Sequence, residues 1–180
     1  ALAVLEPRDR AARNARFVRE LELMDVAAQA QRFETVAEVG LEVVDRLGEV
    51  AQVSGFDAYA RSIRYFEQAL ALHEAAGDRA GAAAMHARIA LVLAAASGVN
   101  DNQAAAHHLD TAAPVLESGP PGRAQLSYYS ALGLLAVWQE NPRQGLEASR
   151  IGMELATELG EDDRWVSNAV MHSAHLTKLG

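Results

Sequence analysis

Cysteine is absent from this 180-residue chain, and aromatic residues make up only 6% of it. The first absence excludes disulfide bonds and metal sites built on thiolates. Half of the residues are nonetheless apolar, and alanine dominates among them. Because alanine loses no side-chain rotamer entropy and lets helix axes approach closely, this composition favours tightly packed helices.

Long apolar runs are also missing. No stretch of about 18 or more apolar residues occurs, so the sequence predicts no membrane-spanning helix and no membrane partner. The start at 1–7 lacks the basic region and the long apolar run of a signal peptide, and we expect a cytoplasmic protein. Because the first residue is Ala1 and not methionine, we expect a fragment of a larger protein or a processed chain.

Basic residues are too few for a nonspecific nucleic-acid binder. The formal net charge is −8, whereas binding to a phosphate backbone needs a basic surface. We therefore expect this domain to bind no nucleic acid.

Catalytic motifs are missing as well. The chain contains no glycine-rich phosphate loop, nucleophile elbow or kinase motif. Glu34, Glu38 and Glu42 follow one another at steps of four, which is typical of a solvated helix edge. Acid–base catalysis would need a pocket that shifts a pKa, and no pattern in the sequence indicates one. We expect no enzyme activity and no cofactor.

The six histidines raise the question of a metal site. His172 and His175 lie three residues apart and could face one ion from the same helix. His107 and His108, with Asp110, are a second possibility, but adjacent residues on a helix point in different directions. No third ligand follows from the spacing in either case, and we predict no metal site.

Three helix ends recur at almost equal intervals. Gly77, Gly119 and Gly160 each follow an apolar helical pattern, at intervals of 42 residues (77 to 119) and 41 residues (119 to 160). A fixed period in this range is typical of a helical solenoid, in which each unit buries its apolar face against its neighbours. We predict that each of the three glycines closes the second helix of a hairpin.

The sequence predicts eight helical segments and no convincing strand. Short connectors predict antiparallel neighbours, and hence one domain over 1–180. Its parts are three hairpins at about 33–76, 79–117 and 122–159, an N-terminal helix at 8–30 and a C-terminal helix at 162–179. The N-terminal helix is either a cap or half of a repeat, and the C-terminal helix is half of a repeat.

Individual residues indicate where several of these helices begin or end. Asp57 and Asp78 are candidate N-caps, and Asn141 followed by Pro142 is a strong start signal. Pro114 lies inside a predicted helix, where we expect a kink or an early end.

A small–large–small spacing repeats in the second helix of each hairpin. It consists of Ser62, Phe66 and Ala69, then Ala105, Leu109 and Ala112, then Gly145, Ser149 and Gly152. In the third set, Ser149 and Gly152 are smaller than the pattern expects. The physical requirement is a small residue where two helices cross and a larger one that fills the adjacent hole. In the first helices, the pair Ile89–Ala90 corresponds to Leu132–Gly133.

This pattern resembles the tetratricopeptide repeat over roughly 33–180. The family's fold is an all-α, right-handed superhelical solenoid of antiparallel helix hairpins. The period here is longer than the roughly 34 residues of the standard repeat. A longer repeat is similar to the tetratricopeptide-like regions of bacterial transcriptional activators and nucleotide cyclases, where such regions act as sensor or protein-interaction modules.

The resemblance implies a concave groove lined by the first helices of successive hairpins. Carried onto this sequence, the groove positions are Ala87, Leu91 and Ala94, then Ser127, Ser130, Leu134, Val137 and Trp138, then Val170 and Lys178. They are small or apolar, with Trp138 as the one large anchor. A carboxylate clamp of this family needs lysine, arginine and asparagine there, and only Lys178 fits.

An apolar groove suits an amphipathic helix or an extended peptide. The resemblance therefore implies a non-catalytic protein-interaction or regulatory module that binds a peptide or a partner domain. Trp138 could instead pack against the next hairpin, and Tyr128, Tyr129 and Trp165 fit either a core or a rim. Two alternatives remain: a small-molecule sensor domain, and a homodimer that pairs exposed end helices at 8–30 and 162–179.

Overall fold

The computed structural model describes residues 56–95 and 100–180, which form six α-helices and no strand. These helices are α1 (Phe56–Ala75), α2 (Arg79–Ala95), α3 (Asn102–Leu116), α4 (Arg123–Trp138), α5 (Pro142–Leu159) and α6 (Asp162–Leu179). The predicted all-α class is confirmed for this part of the chain. The N-terminal helix predicted at 8–30 and the part of the first predicted hairpin that precedes residue 56 lie outside the described residues.

Three helices begin at polar caps. The Asp78 carboxylate accepts a hydrogen bond from Gly81 N at 3.0 Å, and Asp101 accepts from Ala104 N at 2.9 Å. Asn141 Oδ1 accepts from Gln144 N at 3.3 Å. Each cap satisfies a backbone donor that has no partner within its own helix, which confirms the two start signals predicted at Asp78 and Asn141.

One predicted boundary differs from the structure. α1 begins at Phe56, so Asp57 lies inside the helix and not before it. Pro114 lies inside α3, which ends two residues later at Leu116.

The glycine helix ends are of two kinds. Gly77 and Gly160 have φ angles of 69°, the left-handed conformation that glycine adopts without strain, as predicted for a helix end. Gly119 does not close α3 in this way, since the residue that caps the C-terminal end of α3 is Glu117, with a φ of −68°. The carbonyls of Leu116 and Gly119 instead accept hydrogen bonds from Gln125 Nε2 at 2.5 and 3.0 Å. A side chain from α4 thus replaces the glycine cap.

The even-numbered helices α2, α4 and α6 lie in a row. α2 packs against α1, α3 and α4, and α4 packs against α2, α3, α5 and α6. α6 packs against α5 and, over a smaller area, against α4. Because short loops join successive helices, each pair is an antiparallel hairpin.

The positions with small–large–small spacing are all inside this packing. Every one of the nine residues, in α1, α3 and α5, is buried. The largest apolar cluster joins α1 to α4 around Phe66, Ile89 and Leu135, and a smaller one joins Leu126 of α4 to Leu155 of α5. No helix among the described residues is both long and apolar enough to cross a membrane.

Candidate partner-binding site

Two equivalent hydrogen bonds join the C-terminal ends of the even-numbered helices. Trp138 Nε1 at the end of α4 donates to the carbonyl of Ala94 in α2, at 3.1 Å. Lys178 Nζ near the end of α6 donates to the carbonyl of Val137 in α4, at 3.3 Å. The two donors lie 40 residues apart (138 to 178) and both reach the preceding even-numbered helix. The ends of α2, α4 and α6 therefore form one continuous edge, which we call the C-terminal edge.

Trp138 is the most exposed large apolar side chain at the described helix ends of this edge, where Leu179 of α6 is also exposed. Its side chain is 57% exposed although its indole nitrogen is hydrogen-bonded. Leu134 and Val137, on the same helix, are half-buried. The bond to Ala94 restrains the ring, so that an apolar surface is held at the edge with little rotamer freedom left to lose on binding.

Five of the predicted groove residues have almost no exposed surface. They are Ala87, Leu91 and Ala94 of α2 and Ser127 and Ser130 of α4. Each of these two helices packs against at least three others, which encloses the faces that the repeat register assigned to the groove. The prediction is therefore wrong at these five positions, which offer no surface to a partner. The surface that a partner could reach is limited to the other predicted residues.

The remaining predicted residues lie on α4 and α6. Val170 is 65% exposed and Lys178 is also exposed, whereas Leu134 and Val137 contribute partial surfaces. Lys178 touches α4 at Val137, and Val170 lies two helical turns before Lys178, about 12 Å along the axis. The structure thus brings Val137, Trp138 and Lys178 together and leaves Val170 farther along α6.

The three ambiguous aromatic residues divide between core and surface. Tyr128 is buried, and its hydroxyl donates to Glu117 Oε1 at 2.8 Å. Burial and this carboxylate both raise the pKa of Tyr128, so the phenol stays protonated. Tyr129 is half-buried and Trp165 is exposed.

A buried polar seam, which the sequence did not reveal, attaches α6 to α4. Asn168 Nδ2 donates to Ser130 Oγ at 2.9 Å, and His175 Nε2 donates to the carbonyl of Gly133 at 3.0 Å. Asn168 and His175 are both completely buried. Polar side chains at such depth need partners, and these bonds set the position of α6 along α4.

Glycines on α5 make room for the seam. A Cβ atom added at Gly145 would lie 2.2 Å from the His175 ring, and one added at Gly152 would lie 2.3 Å from Asn168 Oδ1. The signal in the sequence was the pair of glycines at small positions of the repeat. Their large polar partners are on the next helix, and no local rule connects them.

His172 and His175 do not share a partner. His172 Nδ1 lies 3.1 Å from Ser149 Oγ, while His175 points to Gly133. Within 56–95 and 100–180, no group of three or more histidine, aspartate or glutamate side chains is arranged to hold a metal ion.

His108 pairs with a histidine that the sequence did not connect to it. His108 Nδ1 on α3 lies 2.7 Å from His86 Nδ1 on α2, so that one nitrogen donates and the other accepts. Burial, then His86 and His107, lower the pKa of His108 to about 4. Burial also lowers the pKa of His86, against the opposing charge of Glu74. The pair therefore shares one proton and stays neutral at neutral pH.

Neither a family model nor a curated protein matches this chain. The tetratricopeptide resemblance consequently depends on the residue pattern alone.

Proposed function

We propose that this chain is a tetratricopeptide-like solenoid and acts as a non-catalytic interaction module within a larger regulatory protein. The arrangement of the helices supports the first part: α2, α4 and α6 contact one another in order, and α3 and α5 pack between them. The buried small–large–small positions support it as well.

The binding site in this proposal is the C-terminal edge. The exposed but hydrogen-bonded Trp138 is the observation that carries it. Tryptophan is enriched among the residues that dominate binding energy, particularly where its orientation is restrained before binding. Leu134 and Val137 extend the apolar surface beside it.

The partner we expect is a short peptide or a helix with apolar side chains. At the described helix ends of this edge, Lys178 is the one cation, which is too few for recognition of an acidic tail. The net charge of −8 also favours the approach of a neutral or basic partner over an acidic one.

A peptide-display library panned on the immobilised chain provides the test. Selected peptides are synthesised, and their affinities for the wild type, Trp138→Ala and Trp138→Phe are measured by fluorescence polarisation. We expect Trp138→Ala to weaken binding roughly 30-fold, the loss of about 2 kcal/mol typical of a dominant contact. Trp138→Phe should lose less, because it keeps an aromatic ring but not the bond to Ala94.

Trp165→Ala is the matched control, since Trp165 is also exposed but lies on α6 away from Trp138. Circular dichroism confirms that each variant is folded. If the library yields no binder, or if the selected peptides bind Trp138→Ala as well as the wild type, the edge is not the binding site.

A further inference from the structure

Three of the described helices end in the same backbone motif, and one of the three has an unusual residue in it. After α1, α4 and α5 the chain passes through one residue in the left-handed conformation, at Gly77, Glu140 and Gly160, with φ angles of 69°, 54° and 69°. In each motif the next backbone N–H donates to a carbonyl in the last turn of the helix. These bonds join Asp78 N to His73 O, Asn141 N to Ala136 O and Glu161 N to Ala156 O, at 2.9, 3.0 and 2.8 Å.

Glutamate is a poor residue for this position for two reasons. A residue with a Cβ atom is strained at a positive φ, and within 56–95 and 100–180 Glu140 is the one residue other than glycine in that conformation. Its negative charge also comes directly after the C-terminal end of α4, where the helix dipole favours a cation. Glycine at position 140 would avoid both costs.

The Glu140 carboxylate is exposed at the C-terminal edge. It is the last of three consecutive exposed residues, which begin with Trp138. No side chain in the described part of the chain forms a hydrogen bond or an ion pair with Glu140, and the ammonium of Lys178 donates to the carbonyl of Val137 instead. Backbone strain combined with a charge that has no partner of its own in this part of the chain is typical of a binding residue.

A cation on the partner would balance this charge and could also contact the ring beside it. Glu140 follows Trp138 by two residues, so their Cα atoms lie at most about 7 Å apart. The face of the exposed indole attracts a cation, and a guanidinium stacked on it would be within reach of the carboxylate. Arginine suits both contacts better than lysine, since its planar guanidinium stacks on aromatic rings and donates two parallel bonds to a carboxylate.

We propose that Glu140 binds an arginine of the peptide that Trp138 contacts, and that it thereby selects which apolar peptides the C-terminal edge accepts. This inference rests on the proposed function, because it assigns a partner chemistry to the same site. It adds the requirement for one basic side chain next to the apolar ones. The net charge of −8 favours the approach of such a peptide.

Two parallel selections test this specificity. The peptide-display library is panned on the immobilised wild type and on Glu140→Gly. Peptides selected on the wild type should contain arginine at several times its frequency in the library, together with apolar residues. Peptides selected on Glu140→Gly should keep the apolar residues and lose the arginine enrichment. Equal arginine content in the two sets overturns the proposal.

Affinity measurements with one peptide selected on the wild type separate the charge from the backbone strain. Glu140→Gln removes the charge and keeps the strained side chain, whereas Glu140→Gly removes both. At low salt each variant should bind the peptide about fivefold more weakly than the wild type does, and the difference should shrink at high salt. Replacing the arginine of the peptide by glutamine should weaken binding to either variant less than it weakens binding to the wild type.

Thermal denaturation followed by circular dichroism provides an independent readout. Glu140→Gly should raise the Tm by about 2–4 °C because it releases the strain, and Glu140→Gln should change the Tm less. Glu158→Gln is the matched control, since Glu158 is exposed near the end of α5, at the opposite end of the antiparallel hairpin, and the substitution removes the same charge. Its affinity for the peptide should equal that of the wild type.

Unchanged affinity in both Glu140 variants overturns the proposal, even if Glu140→Gly is more stable, because Glu140 would then be a strained helix end with no part in binding. A peptide whose binding needs Trp138 but not Glu140 overturns this inference and leaves the proposed function standing. A library that yields no binder overturns both. Failure of this inference is therefore distinguishable from failure of the proposed function.

Discussion

At the scale of single residues, Gly145 shows how a missing side chain positions a neighbouring helix. Its Cα lies under the imidazole of His175, which is buried and hydrogen-bonded to the carbonyl of Gly133. A methyl group at Gly145 would overlap this ring, which has no free space to move into because it is enclosed on all sides. Glycine at this helical position thus costs intrinsic helix stability, and the close packing of α5 against α6 offsets that cost.

Gly145→Ala should destabilise the chain by about 1–3 kcal/mol, because the overlap outweighs the helix propensity of alanine, which favours it by about 1 kcal/mol. Urea denaturation followed by circular dichroism measures the change.

Gly133→Ala is the matched control for this substitution. A Cβ atom at Gly133 would make only ordinary contacts, 3.7 Å from the sulfur of Met171. We expect this variant to be neutral or slightly more stable. In the His175→Ala background, which lacks the ring, Gly145→Ala should cost less stability than it does in the wild type. Equal effects of the two alanine substitutions would show that the ring does not restrict position 145.

At the scale of helices, the α2–α3 hairpin depends on a neutral histidine pair. His86 and His108 meet through their Nδ1 atoms at 2.7 Å, which is possible only while one of these nitrogens is unprotonated. Glu74 and His107 are the other titratable groups that act on His86. Protonation of both imidazoles would place two like charges in direct contact between the helices.

We expect the hairpin to lose stability as the pH falls from about 6.5 towards 4. The pKa of His108 is about 4 in the folded chain, below the ordinary histidine value of about 6.5, so the unfolded state binds more protons in this window. The loss should amount to about 1–2 kcal/mol, less than the full shift implies, because solvent screens a half-exposed ring.

Urea denaturation at a series of pH values compares the wild type with His108→Gln. The variant retains a polar side chain but cannot titrate there, so its stability should fall less steeply over the window. Carboxylate titrations are common to both proteins and cancel in the difference. Parallel curves for the two proteins would contradict the neutral pair.

At the scale of the whole molecule, the helices differ in how many neighbours support them. α4 packs against four described helices, whereas α6 packs against α5 and a smaller area of α4. In a stack of helices that contact only near neighbours, the end elements open more readily than the middle. The contrast between α4 and α6 is therefore a property of the stack and not of either helix alone.

Native-state hydrogen exchange should detect this difference. At a concentration where the chain is monomeric, amides of α6 should exchange through openings at least tenfold more frequent than those of α4, about 1.4 kcal/mol lower in free energy. The amides of α4 serve as the internal reference. Equal protection of both helices in the monomer would mean that the described part opens as one cooperative unit.

Local sequence features were sufficient to predict the helical class and several helix ends. Asp78, Asn141 with Pro142, and the left-handed Gly77 and Gly160 act on backbone groups within a few residues, so local chemistry was sufficient to locate them. The small–large–small spacing also predicted which faces of α1, α3 and α5 are buried, because helical periodicity depends only on neighbours along the chain.

The contacts between helices depend on tertiary packing, and no local pattern predicted them. Gln125 of α4 caps the end of α3, which made the predicted role of Gly119 unnecessary. His108 bonds to His86 across 22 residues of sequence, and Asn168 and His175 occupy space left by glycines of α5. The same packing buried Ala87 and Leu91 and left Trp138 exposed. These outcomes depend on how far each helix shifts along the next, and that shift is set by side chains about 40 residues apart, beyond the reach of any local pattern.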